Sequence, residues 1–261
     1  MKNFLVGAQL YSVRKLMQDK AAIENTFREI SRMGYTTLQL SGQNREIEDE
    51  FFAEKLKEYG LKCVVTHNSL QDFEEGFDAL VKRHHCWNTV YAGLGAMPDE
   101  YRHDAAGFER FAAKANEIGK KLKDHGLVFV YHNHAFEFNR FDGALGMDIL
   151  FDNFADNVQF ELDSYWVQAG GANPVSWFRK VNGRMDVAHF KDMRGCDNFS
   201  PVQTMVPVGS GNLDWAALKL ACEETAVKFA EVEQDNASDM DDPLSQMEIS
   251  ANNLKKMGFM M

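Results

Sequence analysis

The sequence predicts an α/β protein, a single (β/α)8 TIM barrel forming one domain over residues 1–261. Three observations carry this reading: strand-like runs alternate with helix-like stretches from end to end, the strand-like runs number eight, and 261 residues is a length common for such barrels. A repeated β-then-α order favours a parallel sheet with helices outside it. The rival is an open doubly wound sheet, which normally carries a glycine-rich phosphate loop after its first strand. Here the first run leads into Gln9-Leu10-Tyr11-Ser12-Val13-Arg14, with no GxGxxG.

The strand-like runs cover residues 6–12, 37–41, 62–68, 89–93, 127–133, 158–164, 185–191 and 227–234. Between them apolar residues recur three and four apart, as in Ala22, Ile23, Phe27, Ile30 and Met33, or Phe108, Phe111, Ala112, Ala115, Ile118 and Leu122. That spacing turns one apolar stripe of each helix toward a sheet. Helical stretches end at Met33-Gly34, Tyr59-Gly60 and His125-Gly126, where glycine suits the left-handed residue that stops a helix. No repeat, low-complexity tract or Pro/Ser-rich linker divides the chain.

Lys and Arg number 28 against 39 Asp and Glu, a formal charge of −11, which opposes attraction to nucleic acid or to an anionic membrane surface. No window approaches the roughly 18 apolar residues of a membrane-spanning helix. Cys63, Cys86, Cys196 and Cys222 are scattered without a CxxC pair, so neither a disulfide framework nor a structural zinc site is expected. A reducing, cytoplasmic location is the expectation.

Polar clusters end the last four runs: Tyr131-His132-Asn133-His134, Glu161-Leu162-Asp163, His189-Phe190-Lys191-Asp192 and Glu231-Val232-Glu233-Gln234-Asp235. Alternate residues of a barrel strand face inward, so His132 and His134 share a face, as do Glu161 and Asp163, His189 and Lys191, and Glu231 and Glu233. Burying such groups together is costly unless they are hydrogen-bonded, paired or bound to a cation. A solvated strand end or an internal salt bridge accounts equally well for any one of them, but four consecutive strands weigh toward a metal. Glu161 is open to two readings, an orienting or substrate-facing carboxylate or a partner of Lys191. The earlier strands offer uncharged substrate contacts in Gln9, Tyr11, Gln39 and His67, and Trp166 is either a flat wall for a sugar ring or a core residue. His84, His85, His103 and His125 fall in polar helix settings and are expected at the surface.

These motifs, with Tyr131-His132-Asn133-His134-Ala135-Phe136-Glu137-Phe138 and Glu161-Leu162-Asp163-Ser164-Tyr165-Trp166 foremost, resemble the sugar phosphate isomerase/epimerase family, whose barrel is xylose isomerase-like. The resemblance covers nearly the whole chain. It implies one divalent metal held by a glutamate, an aspartate, a histidine and a second glutamate from the fifth to eighth strands. Asp163, His189 and Glu233 match the last three. His132 stands where many epimerases have the first glutamate, a departure that changes both site charge and base strength. The expected metal set is therefore His132, Asp163, His189 and Glu233, suited to Mn, Zn, Co or Fe rather than calcium.

The implied activity is isomerisation or epimerisation of a sugar or keto-sugar by proton abstraction next to a carbonyl, through an enediolate. Glu233 is the expected base, with Glu161, His134 or Lys191 as the second proton-transfer group. Elimination from a keto-sugar or 3-keto-glycoside by a dehydratase or lyase is an alternative, and a non-catalytic sugar-binding barrel is another. An apurinic endonuclease of similar fold is opposed by the acidic balance. The expected partner is a small-molecule sugar; dimers are common among similar proteins, which leaves a homodimer open.

Overall fold

A computed structural model of the chain describes residues 4–197, 200–225 and 227–261. Eight barrel strands are present: β1 (Leu5–Gln9), β2 (Thr37–Leu40), β3 (Lys62–Asn68), β4 (Tyr91–Leu94), β5 (Val128–His132), β6 (Val158–Glu161), β7 (Val187–Phe190) and β8 (Phe229–Val232). They pair in parallel in the spatial order β6-β5-β4-β3-β2-β1-β8-β7. The seam between β6 and β7 is closed by few bonds. Phe160 N–H donates to the Arg184 carbonyl and His189 N–H to that of Leu162, each at 2.8 Å, and an isolated bridge joins Asp163 to His189. The last contacts that close the barrel thus lie at two of the expected metal ligands.

The helices follow the apolar periodicity. Lys20–Arg32 buries Ile23, Phe27 and Ile30 and is capped by Asp19, which accepts from Ala22 N–H. Ala105–Asp124 buries Phe108, Phe111, Ala112, Ala115, Ile118 and Leu122 against the sheet. Gly34, Gly60 and Gly126 take φ of +96°, +65° and +73°, as their places at helix ends require. Among the described residues no helix is long and apolar enough to cross a membrane.

Most strands are shorter than their apolar runs, and for β1 and β6 the cause is visible at their C-terminal ends. Gln9 Oε1 accepts Tyr11 N–H at 3.0 Å, and Asp163 Oδ1 accepts Trp166 N–H at 2.9 Å. Each side chain replaces a ladder partner and turns the backbone out of the strand, into the 3-10 helix Leu10–Leu16 after β1 and the helix Ser164–Ala169 after β6. Two hairpins lie outside the expected pattern, Arg140–Phe141 with Ala144–Leu145 and Asp192–Asp197 with Ser200–Val206. The first turns on Asp142-Gly143, both at positive φ, a pair suited to a two-residue hairpin loop.

β3 and β4 approach closely because Gly93, in register with His67, has no side chain. A Cβ there would lie 2.5 Å from the Thr66 carbonyl oxygen and 3.1 Å from His67 Cδ2. Gly93→Ala is therefore expected to lower stability by about 1–3 kcal/mol in urea unfolding. An unchanged midpoint would mean that β3 can shift freely.

Candidate functional site

A cavity of about 300 Å³ opens at the C-terminal ends of the strands, the functional end of such barrels. Its walls include Tyr11, His67, His132, His134, Trp166, Lys191, Glu233 and Asp235. At its base, ligand atoms of His132, Asp163, His189 and Glu233 all lie within 4.8 Å of one another, and all four residues are buried. They come from the ends of β5, β6, β7 and β8 or the residues just beyond.

His132 Nδ1 lies 3.0 Å from the Gly95 carbonyl, so this nitrogen carries the hydrogen and Nε2 keeps a lone pair. Burial, with His189 and His67 nearby, drives the ring well below the ordinary histidine range and keeps it neutral. Nε2 faces Asp163 Oδ2 at 3.4 Å. With Nδ1 as the donor, Nε2 presents its lone pair to the carboxyl group of Asp163. Two ligand atoms bound to one ion at about 2.0–2.2 Å sit at a comparable spacing. Asp163 is held from both sides, its N–H by Asn133 Oδ1 at 3.0 Å and its Oδ1 by Trp166 N–H. Burial and the nearby Glu233 carboxylate raise its carboxyl above the usual range, against Lys191.

His189 Nδ1 lies 3.1 Å from Glu233 Oε2, while Nε2 lies 2.6 Å from Gln39 Oε1 and 3.2 Å from Glu161 Oε1. Burial opposes a charge on this ring, but the Glu161 and Glu233 carboxylates outweigh it and hold the imidazolium well above its ordinary range. Lys191 is 1% exposed and meets three carboxylates: Asp235 Oδ1 at 2.8 Å, Glu233 Oε2 at 3.1 Å and Asp163 Oδ2 at 3.6 Å. Burial works against the ionised form of Glu233 too, yet Lys191 and His189 hold its carboxyl well below the usual range. Burial and the nearby Glu233 charge push Asp235 up to about 6.

Beneath this layer Glu161 is fully buried and absent from the cavity wall. Its Oε2 lies 2.7 Å from His67 Nε2, so it orients two imidazoles, and Lys191 pairs with Glu233 and Asp235 instead. Glu231, in register with His189, is also fully buried, beside Thr37 Oγ1 at 3.4 Å, and burial pushes it up to about 8. Of the expected substrate contacts, Tyr11, His67 and Trp166 line the cavity, whereas Gln9 and Gln39 are fully buried and lie outside its wall.

The expectation for His84 is corrected. It is buried, with Nε2 2.8 Å from Thr66 Oγ1 and Nδ1 2.8 Å from the Leu80 carbonyl, and burial pushes it down to about 4. The helix Phe77–Cys86 turns this one polar residue of a charged run inward, toward a threonine hydroxyl on β3. His85, His103 and His125 are exposed as expected.

Two supporting residues escaped sequence reasoning. Glu137, buried after β5, accepts Tyr131 Oη–H at 2.6 Å and His134 N–H at 2.9 Å, fixing the loop that presents His134. Asp192, next to Lys191, accepts from the backbone N–H of Met193, Gly209, Gly211 and Leu213 and from Trp215 Nε1. The clue was an acidic residue beside an inward-facing position, followed by the glycines of Gly209-Ser210-Gly211.

A family model described as the xylose isomerase-like TIM barrel matches residues 27–257. No curated protein matches the chain. Among solved structures, the chain is similar to a sugar phosphate isomerase/epimerase from Parabacteroides distasonis, with a TM-score of 0.83 and 20% identity over 100% of this chain and 96% of that one. It is similar to the probable 3-DHS dehydratase of petrobactin synthesis from Bacillus anthracis, with a TM-score of 0.73 and 17% identity over 98% and 99% of the two chains. The IOLI protein, solved with a binding zinc atom, gives a TM-score of 0.73 and 13% identity over 97% of both chains. At these identities the likeness is one of fold.

Burial pushes Glu137 up to about 7 against its bonds from Tyr131 and His134, above the ordinary 4.5. A carboxyl raised on folding stabilises fully below its unfolded value and loses that contribution as pH rises through the folded one. Relative to Glu137→Gln, wild-type stability should therefore fall by about 3 kcal/mol between pH 4 and pH 8 in denaturant titrations. A pH-independent difference would remove this role.

Proposed function

Because the chain belongs to the xylose isomerase-like TIM barrel family, we propose that it is a divalent-metal-dependent sugar or keto-sugar isomerase or epimerase. The observation that carries this reading is the convergence of His132, Asp163, His189 and Glu233, buried with their ligand atoms all within 4.8 Å of one another. Two imidazole nitrogens and two carboxylate oxygens, buried together, fit a cation of the Mn, Zn, Co or Fe class. His132, Asp163, His189 and Glu233 would hold it. When bound, such a cation supplies Lewis-acid polarisation of a substrate carbonyl and its neighbouring hydroxyl.

The remaining chemistry belongs to the side chains. Glu233 Oε2 is engaged by Lys191 and His189, while Oε1 accepts no hydrogen bond among the described residues and is free to take a proton from the carbon beside the carbonyl. His134 and Lys191 line the cavity and can return a proton, whereas Glu161, sealed beneath, orients His67 and His189. His134 Nδ1 and Trp166 Nε1 are buried without a partner among the described residues, which suits both to substrate hydroxyls. Trp166 and Tyr11 add aromatic faces for a sugar ring.

One observation favours a second reading. His132 leaves Glu233 as the carboxylate base of the metal set, and elimination from a keto-sugar or 3-keto-glycoside needs only one such base.

The proposal is tested first on the base. Glu233→Gln, assayed with its metal content verified, should lower turnover by at least about 10²-fold on whichever sugar is processed. Unchanged turnover would remove Glu233 from proton transfer. For the metal, Asp163→Ala/His189→Ala should lose the stoichiometric ion that elemental analysis finds in wild-type protein. If wild-type protein binds no ion in metal-replete buffer, the non-catalytic sugar-binding barrel becomes the better reading.

A further inference from the structure

We propose that Lys191 is a tethered counter-cation of the carboxylate cluster, and that Asp235 is the acceptor that draws it aside when a divalent ion takes Glu233 and Asp163. This rests on the metal reading above and concerns how the site admits its ion. Lys191 Nζ lies 3.1 Å from Glu233 Oε2 and 3.6 Å from Asp163 Oδ2, so the ammonium shares two of the four expected ligands. An ion at those oxygens would meet a like charge a few ångströms away, and the burial of Lys191 leaves little water to screen it.

Among the described residues, one further acceptor meets Lys191. Its backbone is fixed: its N–H donates to Ser164 Oγ at 3.0 Å, and its carbonyl accepts from the same hydroxyl at 2.9 Å. Trp166 and Tyr165 wall the ammonium, with ring centroids 5.0 Å and 5.8 Å from Nζ. Only the side chain can turn, and the acceptor that remains is Asp235 Oδ1, already at 2.8 Å. Asp235 lies outside the four-residue ligand set and is the most exposed of the three carboxylates, with 29% of its side chain accessible. A short rotation therefore separates the state in which the ammonium shares Glu233 and Asp163 from the state in which Asp235 alone holds it.

The test is the Mn²⁺ dissociation constant, measured by competition with a fluorescent chelator on full-length protein first stripped with EDTA. Lys191→Met should bind Mn²⁺ about tenfold more tightly than wild type, and Asp235→Asn about tenfold more weakly. In the Lys191→Met background, Asp235→Asn should lose most of its effect, because the cation it holds is gone. Lys191→Gln serves in place of Lys191→Met should the latter not fold. Binding by Lys191→Met that equals or falls below wild type overturns the counter-cation. An equal Asp235→Asn loss in both backgrounds overturns the acceptor role and leaves a plain charge effect. Binding by Lys191→Met but not by wild type supports the proposal while removing the metal-dependent reading of the wild-type enzyme. Absence of binding in every variant overturns both.

Discussion

Carboxylates crowd the upper half of this barrel, and the fold can keep them there only if positive charge meets them. Glu161, Asp163, Glu231 and Glu233 are buried, and Asp235 borders them. Isolated ionised carboxylates in such surroundings would be strongly destabilising. The His189 imidazole and the Lys191 ammonium stand between them, and Glu231, raised by burial, is relieved of much of its charge. The same balance that permits folding sets the terms for a metal: an entering ion must replace or push aside charge that is already neutralised.

That balance depends on rigid presentation. The four clustered residues stand on or just past the barrel strands, and secondary contacts fix their approach: Gly95 carbonyl on His132, Asn133 on the Asp163 backbone, Gln39 on His189. Asp192 gathers the loop after β7 through five donors, and Glu137 does the same for the loop after β5 with two. These two carboxylates organise backbone rather than substrate. Positioning of this kind counts because small displacements of reacting groups are costly to rate.

His132 sits in this scaffold at the end of β5, held by the Gly95 carbonyl. In the proposed site, a neutral imidazole in place of a carboxylate means one negative charge fewer in the ligand set. Glu233, the base in the proposed reaction, has one oxygen shared by Lys191 and His189. In that proposed reaction, proton transfer and charge compensation are thus joined at one residue, where the position of the Lys191 ammonium bears on both.

The sequence by itself determined the barrel, its helix stripes and glycine caps, and the residue types delivered to its inner face. Alternation along a strand is a local property, so His132, Asp163, His189 and Glu233 could be assigned to one side before any fold was seen. Motif order along the chain made the family legible as well. Strand ends were less so, since whether Gln9 or Asp163 bonds its own backbone depends on angles that composition does not encode. Only the tertiary structure decided the pairings across strands: Glu161 with His67 and His189, Lys191 with Glu233 and Asp235, His84 with Thr66. Those depend on register, barrel closure and distances of a few ångströms between segments far apart in sequence, and in a low-dielectric interior such distances decide which charge is compensated by which.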